Sequence, residues 1–169
     1  MKKLVIKHTI DCTVERFWKV FFDKAFNEAL FRKELGFPEY SVVEQTEKQN
    51  GEVFRRISGQ PKMSAPAAVQ KLLGDKFRYD EEGRLDPGSM TWRFTMKPST
   101  LADKLRTEGT VKCEPLGDGK CRRIAEIDIE AKIFGLGGVM EVFTEKEMQT
   151  GWDASAAFMN RWLKDHPPA

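Results

Sequence analysis

Residues 125–138 read AEIDIEAKIFGLGG, and the pattern within this stretch decides the fold. Apolar and charged residues alternate as far as Ile133, which predicts a strand with one buried face. The predicted inward residues are Ala125, Ile127, Ile129, Ala131 and Ile133. Three glycines then end the strand, and residues 139–165 form one long helical segment. The sequence therefore predicts a long closing helix that follows directly on a half-buried strand.

A second long strand precedes this one and ends at the turn Leu116-Gly117-Asp118-Gly119. Its predicted inward residues are Leu105, Thr107, Gly109, Val111 and Cys113. The two strands therefore form a long antiparallel hairpin, and their outward charges can pair across it. Further upstream, residues 90–96 are the clearest half-buried strand of the chain. Its predicted inward residues are Met90, Trp92, Phe94 and Met96.

The N-terminal part begins with an alternating strand over residues 2–11, which places His8 on the same face as Ile6 and Ile10. Asp11 or Thr13 is suited to cap the helix that follows. The apolar residues of this helix have helical spacing and include four aromatic side chains, which predicts that it packs on a large apolar surface. These residues are Val14, Phe17, Trp18, Phe21 and Phe22. A second helical stretch runs to Gly36, a natural residue to end a helix.

Two strands, 40–48 and 53–58, flank Asn50-Gly51, a signal for a two-residue hairpin turn. Both strands are polar on both faces, so the pattern leaves their inward face open. Residues 67–73 then form a short helix that Gly74 ends. A further strand begins near Phe77 and Tyr79 and ends at the turn Asp86-Pro87-Gly88.

The order is therefore one strand, two short helices, about six more strands with one short helix inserted, and a long C-terminal helix. Short connections favour a mostly antiparallel sheet, so the fold class is α+β. The pattern contains no repeat, linker or low-complexity tract, and residues 1–169 form a single domain.

Composition limits the function. Of the 169 residues, 28 are Lys or Arg and 26 are Asp or Glu, and a net charge of +2 does not indicate a nucleic-acid-binding protein. Three cysteines in no CxxC motif and two distant histidines give no zinc spacing. The motifs GxSxG, HExxH, P-loop and GxGxxG do not occur, so no metal or cofactor is expected. The short N-terminal apolar run and the lack of a membrane span predict a cytosolic protein.

Several stretches resemble the START-like superfamily, also called SRPBCC proteins. They are TVERFW at 13–18 after the opening strand, the run of strands, and FGLGG at 134–138 before the closing helix. APAAVQKLLG at 65–74 and NRWL at 160–163 look most like a bacterial branch known only as a domain of unknown function. The resemblance covers essentially the whole chain and implies the helix-grip fold, also called birch-pollen-allergen-like. In this fold, a curved antiparallel sheet of about six or seven strands wraps a C-terminal helix.

The resemblance also implies a cavity between sheet and helix that accepts lipids, sterols, polyketides or other apolar molecules. The residues expected to line it are His8, Tyr79, Trp92, Phe94, Met96, Val111, Ile127, Ile129, Phe134, Met148 and Trp152. Methionine and aromatic side chains suit adaptable apolar pockets, although the same residues can simply pack on the closing helix. His8 can be a satisfied structural residue, a polar anchor for a ligand or a general base. Tyr79 and Arg55 are weaker polar candidates, because the pattern does not settle which way they face.

The leading function hypothesis is binding of a small hydrophobic or amphipathic ligand by a monomer or homodimer, without an enzymatic step. One alternative is an enzyme of the cyclase or aromatase type, which would need at least two ionisable groups that converge in the cavity. The other is a protein-interaction domain with a filled core. Val139, Val142 and Phe143 lie on the face of the closing helix opposite to Met148 and Trp152. Either this helix breaks near 144–149, or its first turns reach a loop, a partner or a lid over the cavity mouth. A further hypothesis is that residues 134–143 form a mobile gate to the pocket.

Overall fold

The computed structural model describes residues 1–168. The seven strands are β1 (Lys2–Ile10), β2 (Glu39–Glu47), β3 (Val53–Gln60), β4 (Tyr79–Asp86), β5 (Thr91–Pro98), β6 (Leu105–Gly117) and β7 (Lys120–Ala131). The helices are α1 (Val14–Phe21), α2 (Lys24–Glu28), which continues as a π-helical segment (Ala29–Glu34), α3 (Ala67–Leu73) and α4 (Gly137–Asp165). The predicted α+β class and the predicted order of elements are confirmed.

All seven strands belong to one antiparallel sheet with the order β1-β7-β6-β5-β4-β3-β2. Each strand from β2 to β7 pairs with its neighbour along the chain, and β1 pairs with β7 at the far side. The helix α4 packs on β1 and β7. None of the helices within residues 1–168 combines the length and the apolar character that crossing a membrane requires.

Two side-chain caps start the N-terminal helices. The hydroxyl of Thr13 accepts a hydrogen bond from the backbone N–H of Arg16 at 3.2 Å, and the carboxylate of Asp23 accepts one from the N–H of Phe26 at 2.8 Å. Asp23 therefore ends α1 and begins α2, as a good N-cap residue can. Gly36, at φ +71°, ends the helical stretch as predicted.

Pairing with its neighbours settles the inward face of β3, which the sequence pattern left open. Val53, Arg55, Ile57 and Gly59 are buried, and the residues between them are half-buried. Arg55 lies opposite Gly83 of β4, and Ile57 lies opposite Glu81. The inward face of this part of the sheet therefore carries ionisable side chains among apolar ones.

Two local predictions are wrong. The hairpin between β2 and β3 has a five-residue connection over residues 48–52, closed by a hydrogen bond from the N–H of Lys48 to the carbonyl of Glu52, in place of a two-residue turn. Gly51, at φ +91°, supplies the left-handed position in this connection. Met90 lies in the turn before β5 at φ +49° and is exposed, because β5 begins only at Thr91.

The closing helix is continuous over 29 residues, so the predicted break near 144–149 is wrong. Its two apolar faces contact different partners. Ala156 and Met159 join the main core, whereas Met140 is buried against Val69 and Leu73 of α3 in a second, smaller cluster. Phe143 packs on the same cluster, whereas Val139 and Val142 are exposed. The first turns of α4 thus reach the α3 region, which is the other predicted outcome.

Candidate functional site

A cavity of about 350 Å³ lies between the inward face of the sheet and α4. The π-helical segment and α3, with the chain before α3, complete its walls. Ten aromatic and five methionine side chains line it. The aromatic ones are Phe21, Phe26, Phe31, Phe37, Phe77, Tyr79, Trp92, Phe94, Phe143 and Trp152. Such a wall is mostly apolar and adaptable, which is the usual character of a small-molecule site.

The structure brings most of the predicted lining residues together at this cavity. They are Tyr79, Trp92, Phe94, Met96, Ile129, Met148 and Trp152. The sheet contributes the first five, and α4 contributes Met148 and Trp152. The alternating pattern of β5 therefore predicts one wall, and the stripe of α4 predicts part of the opposite one.

Four predicted lining residues lie elsewhere. Val111 and Ile127 face inward but pack in the main core and do not border the cavity. Phe134 is fully exposed in the loop before α4, because β7 ends at Ala131 and the chain leaves the sheet before residue 134. His8 lies on β1, and its side chain contacts Asp153 of α4 outside the cavity wall.

His8 belongs to a network that joins the sheet to α4. Its Nε2 lies 2.7 Å from Oδ1 of Asp153, and its Nδ1 lies 3.0 Å from Nη2 of Arg123. A guanidinium can only donate, so Nδ1 accepts and Nε2–H donates to Asp153. Arg123 also donates to the carbonyl of Trp152 at 2.8 Å and to Oγ of Ser155 at 2.9 Å. His8 is therefore a satisfied structural residue, one of the three roles that the sequence allows.

Arg123 is the centre of this network, which we call the Arg123 clamp, and it also borders the cavity. Its guanidinium lies 4.7 Å from the centroid of the Trp152 ring. Burial lowers the pKa of Arg123 to about 10, so it remains a cation at neutral pH. The clamp thus fixes Trp152 at the cavity wall through its ring and its carbonyl.

We expect Arg123→Leu to lower the free energy of unfolding by about 2 kcal/mol, because three half-buried acceptors lose their donor. Urea unfolding measures this change. Arg122→Leu is the matched control, since Arg122 is an exposed neighbour on the same strand, and a change below about 0.5 kcal/mol is expected. Equal stabilities of the two variants would show that the network does not hold α4 on the sheet.

Three ionisable side chains converge at one end of the cavity: Arg55, Tyr79 and Glu81. Arg55 is only 5% exposed, and its Nη1 donates to the carbonyl of Phe21 at 2.8 Å. Its guanidinium lies 4.7 Å from the ring centroid of Phe21 and 5.2 Å from that of Trp92. These contacts hold a cation in place at the end of an aromatic cavity.

Burial controls the ionisation of this group. It raises the pKa of the Glu81 carboxyl, and the nearby Arg55 guanidinium opposes part of that rise. It also raises the pKa of the Tyr79 hydroxyl and lowers that of Arg55. The Tyr40 hydroxyl, buried behind the cavity, has a pKa raised by burial and no hydrogen-bond partner within residues 1–168. This end of the cavity is thus a weakly hydrated polar site.

Sequence reasoning missed Glu81, because it lies in the acidic run Asp80-Glu81-Glu82 and resembles a solvated strand residue. The alternation of side chains along β4 did contain a signal that Glu81 faces inward. Leu85 is buried, and Glu81 has the same parity on β4, so both share the inward face. Glu82, on the other face, instead pairs with Lys97 at 2.9 Å.

The three cysteines are free thiols, and Cys12 and Cys121 are buried. Cys12 therefore fits the prediction of a small buried residue. In the part of the chain that the structure describes, no three side chains of His, Cys, Asp or Glu are arranged to hold a metal ion.

Comparison with known proteins places the chain in a family. The sequence profile of the family described as "Protein of unknown function (DUF2505)" matches residues 6–163. The chain belongs to this family. No curated protein matches the DUF2505 protein.

Three solved structures resemble the DUF2505 protein along nearly its whole length. A protein from Thermus thermophilus is 21% identical, with a TM-score of 0.69, and the match covers 99% of this chain and 100% of that one. The Zhui aromatase/cyclase from a Streptomyces species is 12% identical, with a TM-score of 0.69 and coverages of 99% and 96%. A START superfamily protein from Mycobacterium smegmatis is 11% identical, with a TM-score of 0.60 and coverages of 96% and 97%.

At these identities the likeness concerns the fold. It confirms that the DUF2505 protein has the helix-grip fold of the START-like superfamily, as the resemblance in sequence predicted. The sheet order and the long closing helix of the structure agree with that fold. A fold of this kind accommodates different chemistries, so the function is argued from the cavity.

Proposed function

We propose that the DUF2505 protein binds a small hydrophobic or amphipathic molecule in the cavity between the sheet and α4. The observation that carries this proposal is the cavity itself: about 350 Å³, with ten aromatic side chains in its wall. Small-molecule sites have volumes of roughly 300–1,000 Å³ and mostly apolar walls. Two structural neighbours, an aromatase/cyclase and a START superfamily protein, support a ligand-binding role.

Apolar burial supplies the driving force. A ligand that removes about 300 Å² of apolar surface from water gains about 7 kcal/mol before the cost of ordering is subtracted. Met96 and Met148 lie on opposite walls, and their flexible side chains can adjust to the shape of the ligand. The clamp on Trp152 keeps one aromatic part of the wall in place.

The first test is native mass spectrometry of the purified protein, followed by organic extraction and identification of what co-purifies. We expect a bound apolar molecule at a ratio of one per chain, and the same spectrum reports whether the protein is a monomer or a homodimer. A bare chain that also fails to take up an added apolar dye would contradict the proposal.

We assign the protein to the cytoplasm, where free thiols remain reduced.

A second candidate function is acid–base catalysis in the same cavity, as in an enzyme of the cyclase or aromatase type. The observation that favours it is the convergence of Arg55, Tyr79 and Glu81, which provides the two or more ionisable groups that this function needs. A carboxyl whose pKa burial raises can act as a general acid or base, and a guanidinium can stabilise an enolate. Turnover of a poly-β-keto substrate that Glu81→Gln abolishes, without loss of substrate binding, would establish this function.

The remaining alternative, a protein-interaction domain, required a filled core, and the core contains a cavity.

We further propose that residues 134–143 form a mobile gate to the cavity. Met140 and Phe143 border the cavity, and the glycine-rich loop before them contains Gly135 at φ +75° and the exposed Phe134. Hydrogen exchange should be faster in this segment than in β6 and β7, and it should slow when a ligand is bound. Protection equal to that of these strands, with and without ligand, would refute the gate.

A further inference from the structure

We infer that the ligand is a compact, ring-containing molecule with an acceptor oxygen, and that Arg55 and Glu81 bind this oxygen. This inference rests on the proposed function and specifies the ligand class of the same cavity. The DUF2505 protein would then select aromatic or polycyclic carbonyl compounds and phenols over flexible acyl chains.

The volume and the aromatic walls of the cavity restrict the size and shape of the ligand. About 350 Å³ accommodates a molecule of two to four fused rings or one short chain, and it is too small for a lipid with two acyl chains. Rings are favoured because both walls carry aromatic side chains, with Trp92 and Phe94 on the sheet and Trp152 on α4. The Phe94 and Trp152 rings approach to 6.2 Å between centroids, and the Phe21 and Trp92 rings to 5.6 Å. Flat ligands can add to such ring contacts, whereas an acyl chain must lose its conformational freedom to bind.

The ionisable side chains at one end of the cavity restrict the chemistry of the ligand. Arg55 and Glu81 lie on adjacent strands as diagonal neighbours on the inward face, since Arg55 pairs with Gly83, and both border the cavity. A guanidinium has only donor groups, and a protonated carboxyl adds another donor. Burial raises the pKa of the Glu81 carboxyl, and the Arg55 guanidinium opposes part of that rise. A carbonyl or phenolic oxygen at this place can accept a hydrogen bond from Arg55, and a phenolic O–H can also bond to the Glu81 carboxyl. The Arg55 cation opposes a basic amine.

An apolar ligand would offer the Glu81 carboxyl no hydrogen bond and would leave Arg55 with only its bond to the Phe21 carbonyl. Desolvating a charged or polar group without a compensating hydrogen bond is unfavourable, so the polar end should discriminate between ligands with and without oxygen. Tyr79 at the same end offers one more hydroxyl for this contact. Discrimination between otherwise equal ligands is therefore the property to measure.

Three probes with ten carbon atoms each test the two preferences, for rings and for an oxygen atom: naphthol, naphthalene and decanoic acid. Binding of each probe to the full chain is measured by isothermal titration calorimetry. We expect naphthol to bind about tenfold more tightly than naphthalene, the effect of hydrogen bonds to a charged group, and about tenfold more tightly than decanoic acid. Glu81→Leu and Arg55→Met should each reduce the ratio of naphthol to naphthalene affinity to about threefold or less.

The control is Glu82→Leu, the same substitution on the next residue, which faces away from the cavity; it should leave the ratio unchanged. Glu81→Leu keeps the inference testable if Arg55→Met fails to fold, because leucine is compatible with an apolar cavity. Equal affinities for naphthol and naphthalene, or tighter binding of decanoic acid, would overturn the inference and leave the proposed function intact. If the folded protein binds none of the three probes, the proposed function and the inference both fail.

Discussion

Thr107→Trp is expected to weaken binding of the dye anilinonaphthalenesulfonate by about 100-fold, which corresponds to about 2.7 kcal/mol. Thr107 lies on β6 opposite Met96 and Ile129, and its side chain borders the cavity. An indole at this position would extend into the space that the dye needs. Dye titration by fluorescence measures the loss.

Stability separates a filled cavity from a damaged fold. The new indole replaces empty space with apolar contacts, so thermal unfolding of Thr107→Trp should occur at or above the temperature of the parent protein. Thr110→Trp is the matched control, because Thr110 lies on the same strand with its side chain on the opposite face. It should bind the dye as the parent does. A folded Thr107→Trp protein with undiminished dye affinity would place the binding site outside the cavity.

The parts of the fold that the sequence predicts well depend on local periodicity. Trp92, Phe94 and Ile129 alternate with polar or charged residues, and a period of two assigns them to the inward face before any pairing is known. Gly74 and Gly36 end helices through backbone conformations that glycine adopts readily, so these boundaries are also local. The arrangement of these elements into a helix-grip sheet was predicted from the resemblance to a known superfamily.

The polar end of the cavity depends largely on long-range pairing, because local patterns contain only a weak signal for it. On β3 the alternation does not settle the face of Arg55, and on β4 only Tyr79 and Leu85 mark the face of Glu81, so pairing of β4 with the unambiguous strand β5 decides both. His8 illustrates the opposite limit. Its alternation correctly predicts the face, but what covers that face is α4, and residue 153 is far away in sequence. A strand pattern can thus identify an inward residue without identifying its partner.

The aromatic wall also depends on a residue without a side chain. Gly83 lies opposite Phe94 on β5, and the indole of Trp92 covers the position where a side chain would project. A methyl group on Gly83 would lie 2.0 Å from Cζ2 of Trp92 and 2.4 Å from Cε2. No real contact is that short, so the ring has to move. Trp92 is fully buried among Phe21, Phe22 and Arg55, which leaves it little room.

We therefore expect Gly83→Ala to lower the free energy of unfolding by about 3 kcal/mol, the upper end of the usual cost of overpacking a core. Chemical denaturation measures the loss, and a change in near-ultraviolet circular dichroism should report the displaced indole. Gly151→Ala is the control, since Gly151 is in the interior of α4 and has open space around it. There the same substitution should stabilise the protein by about 1 kcal/mol, because alanine is the better helix residue.

Opposite signs at the two glycines would show that the cost at Gly83 comes from contact with Trp92. The double variant Gly83→Ala/Trp92→Leu provides the decisive comparison, because a smaller side chain at residue 92 removes the clash. Gly83→Ala should then cost much less in the Trp92→Leu background than in the parent, and the difference is the coupling energy of the pair. An equal cost in both backgrounds would mean that the glycine is required by the backbone of β4. The position of the Trp92 ring in the cavity wall would then have to be explained by its contacts with Phe21, Phe22 and Arg55.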